Sequence, residues 1–187
     1  GNYQILRYDK DVLCYGDKKT GIFRSLIVNL NSKKVVVFSP VKSLNLSDLN
    51  ESNMVNIRAE EFVEGTMVNL FYDTEVQSWD IATRSTVGGN VKFYRDVSKT
   101  FYMLFEEACV ACGLNYEDNF NKDYCYSFVV QHPENRIVTP FEKPSLYLIA
   151  SYCFDEIQED DKTMLKVIGH DFNNDNLLDQ NMKEVKT

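Results

Sequence analysis

The sequence predicts an α+β fold in which mostly antiparallel strands form a strongly bent sheet, or two sheets, around a cleft, with at least one helix packed outside. Three observations carry this reading. Runs of β-branched and aromatic residues of strand length recur along the chain, separated by short polar turns, which is the pattern of hairpin-connected sheets. One stretch, from Ser98 to Cys112, repeats its apolar residues at helical spacing. The 187 residues, 44% hydrophobic and 13% aromatic, suffice for one substantial domain with a real core, with room for a small appendage.

Taken in order, Ile5 to Cys14 reads as a first strand, and Gly16 to Gly21 as a loop, because two glycines bracket polar turn formers. Ile22 to Leu30 and Lys34 to Phe38 are β-branched-rich runs separated by Asn31-Ser32-Lys33, which makes a hairpin. Arg24 interrupts the apolar side of its first strand; a solvated edge charge and an anion-binding arginine aimed into a cleft both fit that spacing. Pro40 cannot continue a central strand, so Lys42 rides on a turn or short helix, where alone it reads as a surface lysine. Ser47 to Asn56 is a polar loop or short helical turn.

An acidic approach through Glu60 and Glu61 leads into a strand from Val63 to Tyr72, a turn from Asp73 to Gln77, and a second strand that starts at Trp79 and ends in the positive charge of Arg84. Glu64-Gly65 is a corner with chemical capacity: glycine lets the backbone approach a ligand closely, and the carboxylate can hold a sugar hydroxyl or a lysine. Thr86 to Asn90 is a loop with exposed amides that lacks either glycine-rich phosphate motif. Ser98 offers an N-cap, and Phe101, Leu104, Phe105, Ala108 and Cys112 keep helical spacing until Gly113 stops the run. This aromatic stripe is core.

Tyr124 to Gln131 is a strong strand, His132 to Arg136 a polar turn, Ile137 to Thr139 a continuing strand, and Ser145 to Phe154 another apolar strand after Pro140 and Pro144. Residues 1–154 therefore form the predicted domain, and 155–187 an acidic, asparagine-rich segment, either partly flexible or part of a continuing domain, in which Met164 to Ile168 makes one short strand. The bare Gly1 resembles a tag-cleavage remnant, which points to a fragment of a longer protein.

Composition excludes some functions. A net charge of -8 and a pI near 4.8 deny the surface an overall basic field, so any contact with nucleic acid is a local patch. No apolar run reaches the roughly 18 residues of a membrane span, and no leader pattern opens the chain, so a soluble, intracellular, cytoplasmic protein is expected. The five cysteines are an odd count and read as free buried thiols. Cys109 and Cys112 have redox-motif spacing, but neither a second pair nor a histidine cluster completes a metal site. His132, next to a proline, reads as a surface or hydrogen-bonding residue.

Four blocks, in order across residues 20–154, resemble the adenylation domain of ATP-dependent RNA ligases, in particular the phage RNA-repair ligase 1 type and its relatives in large DNA viruses. Ile22-Phe23-Arg24-Ser25 resembles the family's upstream arginine, and Pro40-Val41-Lys42-Ser43-Leu44-Asn45 its upstream lysine. Phe62-Val63-Glu64-Gly65-Thr66 resembles the nucleophile motif, and Ala82-Thr83-Arg84-Ser85 the basic end of the next strand. Tyr126-Ser127-Phe128-Val129, followed by Glu134-Asn135-Arg136-Ile137-Val138 and Leu146-Tyr147-Leu148-Ile149, resembles the third motif.

The resemblance implies a domain that binds a purine nucleotide, ATP with Mg2+, and RNA ends. It places Arg24, Lys42 and Arg84 on phosphates, Glu64 on the ribose, and Gly65, Ser127 and Phe128 at the nucleotide site. The departures concern catalysis. Phe62 stands where the family has the lysine nucleophile, and no other lysine lies between Arg58 and Asp73; only a shifted register, with Lys42 as nucleophile, would supply one. Ser127 replaces a carboxylate of the third motif, and the family's downstream metal and phosphate motifs have no counterpart before Thr187. The expectation is an RNA ligase homologue that does not adenylylate itself; the alternative is a noncatalytic binding or structural module of a viral particle or repair complex.

Overall fold

The computed structural model describes residues 2–9, 11, 18–43, 61–93, 98–159 and 162–170. The expected loop at 47–56, the acidic end beyond 170, and Cys14 and Gly16 lie outside these residues.

Among the described residues every strand pair is antiparallel. Strands β1 (Tyr3–Leu6), β2 (Leu26–Asn29) and β3 (Lys34–Val37) form a three-stranded sheet in that order. Strands β4 (Thr66–Asp73), β5 (Ser78–Ala82), β6 (Tyr124–Gln131), β7 (Ser145–Glu159) and β8 (Lys162–His170) form a five-stranded sheet in the order β5-β4-β6-β7-β8. Helices are α1 (Lys18–Gly21), α2 (Phe101–Cys112) and α3 (Tyr116–Asn119). The α+β class with mostly antiparallel sheets is therefore as the sequence reads.

Strand alternation builds two cores on the two faces of the larger sheet. Val68, Leu70, Ile81, Phe128, Val130 and Leu148 face α2, where they pack on Leu104, Phe105 and Ala108. Phe71, Ala82 and Cys125 face the smaller sheet and meet Ile27, Val37 and Phe38. The molecule thus has three layers: small sheet, large sheet, helix. Cys109 and Cys125 are buried, unbridged thiols, and burial raises both; Cys125 is pushed up to about 12.

Several element boundaries differ from the sequence reading. β1 ends at Leu6 because the Tyr8 amide donates to the Phe23 carbonyl at 2.6 Å, which ties the chain to a turn. That turn follows α1, so the expected loop at 16–21 contains a helical turn, and Ile22 to Ser25 precede β2 instead of belonging to it. Arg24 accordingly lies outside a strand. Helix α2 is capped by Thr100, whose hydroxyl accepts the Met103 amide at 3.3 Å, while Ser98 instead donates to Glu134 at 2.9 Å. Gly113, with φ of 69°, closes the helix as expected.

Ile137 to Thr139 is not a strand, because a carboxylate takes the Val138 and Thr139 amides that a ladder would need. β7 runs through Phe154 to Glu159, and β8 is longer than the expected Met164 to Ile168, because the two strands pair with each other from Ser151↔His170 to Glu159↔Lys162. Among the described residues no helix is long and apolar enough to cross a membrane.

Candidate functional site

A line of buried polar groups joins the two sheets. The Ser127 hydroxyl donates to Asn69 Oδ1 at 2.7 Å, and Asn69 Nδ2 donates to Ser39 Oγ at 3.0 Å. Ser39 Oγ donates to the Ser25 carbonyl at 3.3 Å, and Ser25 Oγ donates to the Thr83 carbonyl at 3.5 Å. Ser127, Asn69, Ser39, Ser25 and Thr83 are all at most 6% exposed. Buried polar groups are costly unless satisfied, so this line fixes how the segments before β2, after β3 and after β5 sit on the large sheet.

That fixation gathers charge. Arg24 precedes Ser25 and Arg84 follows Thr83, so the Ser25–Thr83 bond draws the backbone at these two positions together. The Lys42 amide donates to the Gly21 carbonyl at 3.2 Å, anchoring its segment to the same turn. The Arg84 guanidinium lies 5.3 Å from the centre of the Tyr8 ring, and Tyr8 is tied to Phe23. A cleft of roughly 480 Å³ opens beside them, with Arg7, Tyr8, Asp9, Thr20 and Phe23 in its wall. None of the residues singled out from sequence lines that cleft.

Arg7, Arg24 and Arg84 have no carboxylate within ion-pair distance among the described residues. In a chain with 28 acids and 20 bases that pattern is informative. Lys99, by contrast, sits 2.8 Å from Glu107 and 2.7 Å from Glu134, and these two carboxylates raise its pKa. Arg7 in the cleft wall and Arg84 over Tyr8 thus put two guanidinium groups without carboxylate partners beside one turn of an acidic protein.

Glu64 and Gly65 lie at the same end of the large sheet as Arg84, since β4 starts where antiparallel β5 finishes (Asn69↔Ala82). Their geometry has a structural explanation. Glu64 Oε1 accepts the Val138 and Thr139 amides at 3.1 and 2.9 Å, and Oε2 accepts the Thr139 hydroxyl at 2.6 Å. The Thr139 hydroxyl and amide, with the Val138 amide, hold its carboxyl below the usual range against a smaller opposing effect of burial. Gly65 has φ of +148°, and a Cβ there would fall 2.6 Å from both Val129 Cγ1 and the Val130 carbonyl oxygen. The close approach it permits is to β6.

Phe62 is 89% exposed just before this corner. Ser127 lies on the small-sheet face inside the polar line, whereas Phe128 is fully buried on the opposite face, with its ring 5.8 Å from Phe105 and 5.9 Å from Phe120. The arrangement therefore brings the backbone at Arg24, Lys42 and Arg84 near one turn, reaches Ser127 through hydrogen bonds, and sets Phe128 apart.

His132 is not on the surface: it is 3% exposed. Its Nδ1 accepts the Glu134 amide at 3.1 Å, so the proton is on Nε2, which donates to Glu107 at 2.9 Å. Lys99 first, then His132, hold Glu107 below the usual carboxylate range. Among the described residues no three histidine, cysteine, aspartate or glutamate side chains group as a metal site. Arg7 and Arg84 thus supply positive charge at the cleft.

Sequence reasoning missed Arg7, Tyr8, Ser25, Ser39 and Asn69. Only Asn69 left a signal, as a polar residue on an otherwise apolar strand.

No family model matches the chain. No solved structure matches it. An RNA ligase of Rhodothermus phage RM378 is 32% identical over 96 residues, a stretch covering 48% of this chain and 21% of that ligase. That match relates the chain, over about half its length, to a phage RNA ligase, of which it spans about a fifth.

Proposed function

We propose that this chain is the nucleotide-binding part of an RNA ligase-like nucleotidyltransferase that does not adenylylate itself. The observation that carries the reading is the pair of arginines at the Tyr8 cleft, Arg7 in its wall and Arg84 over the Tyr8 ring, neither with a carboxylate partner among the described residues, in a chain similar over half its length to a phage RNA ligase. Guanidinium groups bind phosphate in a planar, bidentate fashion, and an aromatic wall suits a base, so the patch fits a purine nucleoside triphosphate such as ATP. Lys42 adds a further charge nearby. RNA ends are the polymer partner that the similarity suggests.

Covalent transfer to the protein needs an amine that can lose its proton beside the α-phosphate. At Phe62 there is none, and arginine stays protonated. Magnesium, when bound with ATP, neutralises phosphate charge; this chain's own part is to hold and orient the phosphates with Arg24 and Arg84.

The test is a thermal-shift titration with ATP and GTP, with magnesium, on the parent and the Arg24→Ala and Arg84→Ala variants. Nucleotide should raise the Tm in a concentration-dependent way, and each variant should weaken that response. Incubation with α-labelled ATP should leave no protein adduct; a stable, acid-labile adduct would overturn the second half of the proposal. A second reading, a noncatalytic structural module that keeps the fold, is favoured by Ser127, which bonds to Asn69 where the family has a carboxylate at the nucleotide site. Absence of any nucleotide-dependent shift would select it.

A further inference from the structure

Phe62 is the most exposed of the large apolar side chains in the described residues, at 89%. It does not stand alone. Glu64, two residues away and therefore within roughly 7 Å along the chain, binds the Val138 and Thr139 amides and the Thr139 hydroxyl directly. Val138 is itself 71% exposed and Ile137 38%. Gly65, packed against the β6 backbone, fixes the corner from the other side. Phe62 therefore lies within two residues of the carboxylate that holds the exposed Ile137–Val138 turn, so the three exposed apolar residues belong to one corner of the chain.

Arg136 completes the patch. Its Nε donates to the Val138 carbonyl at 3.4 Å, and no carboxylate pairs with it among the described residues. An exposed ring next to a guanidinium is the combination that binds single-stranded nucleic acid, because the ring takes the π face of any base while the cation meets the backbone phosphate. A duplex is unsuited to such a ring, because its bases are stacked on one another.

We propose that Phe62, with Ile137 and Val138 beside it and Arg136 at its rim, is a stacking platform for an unpaired base at the end of a single-stranded RNA. This deepens the ligase-like reading and rests on it for the choice of RNA. The position occupied by a nucleophile in RNA ligases becomes, in this chain, a contact for the polymer.

The experiment is fluorescence anisotropy of the 187-residue chain with a labelled single-stranded RNA 12-mer, with the same sequence as a blunt duplex, and in parallel the ATP thermal shift. Phe62→Ala should weaken single-strand binding about tenfold, leaving the parent Tm unchanged. Phe62→Trp should retain binding, and RNA should quench its added fluorescence. Arg136→Ala should weaken binding and lower its salt dependence. If ATP gives no shift but RNA binding depends on Phe62, the nucleotide reading fails and the platform stands. The platform is overturned if Phe62→Ala binds the single strand as the parent does, if the duplex binds equally well, or if Phe62→Ala abolishes self-association instead of RNA binding in sedimentation.

Discussion

Ser127 and Asn69 face each other across β6 and β4, and the serine hydroxyl donates to the amide oxygen at 2.7 Å in the middle of the large sheet. Ser127→Ala leaves that oxygen buried without its donor, and the expected loss is about 1–3 kcal/mol. Asn69→Leu should cost more, because it removes both the acceptor of the Ser127 hydroxyl and the donor to Ser39. Urea unfolding measures both; an unchanged midpoint for Asn69→Leu would show that the polar line does not hold the sheets together.

Gly65→Ala should destabilise by about 2–3 kcal/mol. Its Cβ would press on Val129 and on the backbone of Val130, and φ of +148° disfavours any side chain. The backbone cannot yield as a flexible side chain would. Thermal melts of the variant with and without ATP separate this folding defect from any loss of binding.

Glu64→Ala should loosen one turn and little else. The Val138 and Thr139 amides lose their acceptor, so their hydrogen exchange should accelerate while amides within β4 and β6 keep their protection. Equal acceleration throughout the sheet would contradict a local brace.

Acid stability should depend on Tyr3. Burial alone pushes the Asp73 carboxyl up, but the Tyr3 hydroxyl, with the Glu75 and Val76 amides, outweighs it and lowers the pKa. A lowered folded-state value contributes stability that is present above the ordinary carboxylate pKa and lost as the pH falls through the lowered one. Asp80 works in the opposite sense, since burial raises it and its protonation favours the folded chain. Tyr3→Phe isolates the first effect: stability measured from pH 5 down to pH 2 should fall less steeply than in the parent, and identical slopes would refute the coupling.

Much of this architecture is legible in the sequence because it rests on local pattern. Phe101 to Cys112 declares a helix by spacing, and Tyr124 to Gln131 declares a strand by composition. What escaped was set by long-range hydrogen bonds. Ile137 to Thr139 looks like a strand, and only Glu64, more than seventy residues earlier, takes its amides. Ser98 is as good a cap as Thr100 in isolation, but Glu134 claims its hydroxyl. The basic cluster followed the same rule: Arg24 and Arg84 were legible as charges, while Arg7 and Tyr8 join them only through a backbone bond to Phe23.

The corner at Glu64-Gly65 is accounted for by folding. One residue braces a turn and the other makes room for a neighbouring strand, and both partners lie within this chain. An acid-glycine pair at such a corner therefore reports on how two strands and a distant turn are joined, and does not by itself mark a place where chemistry occurs.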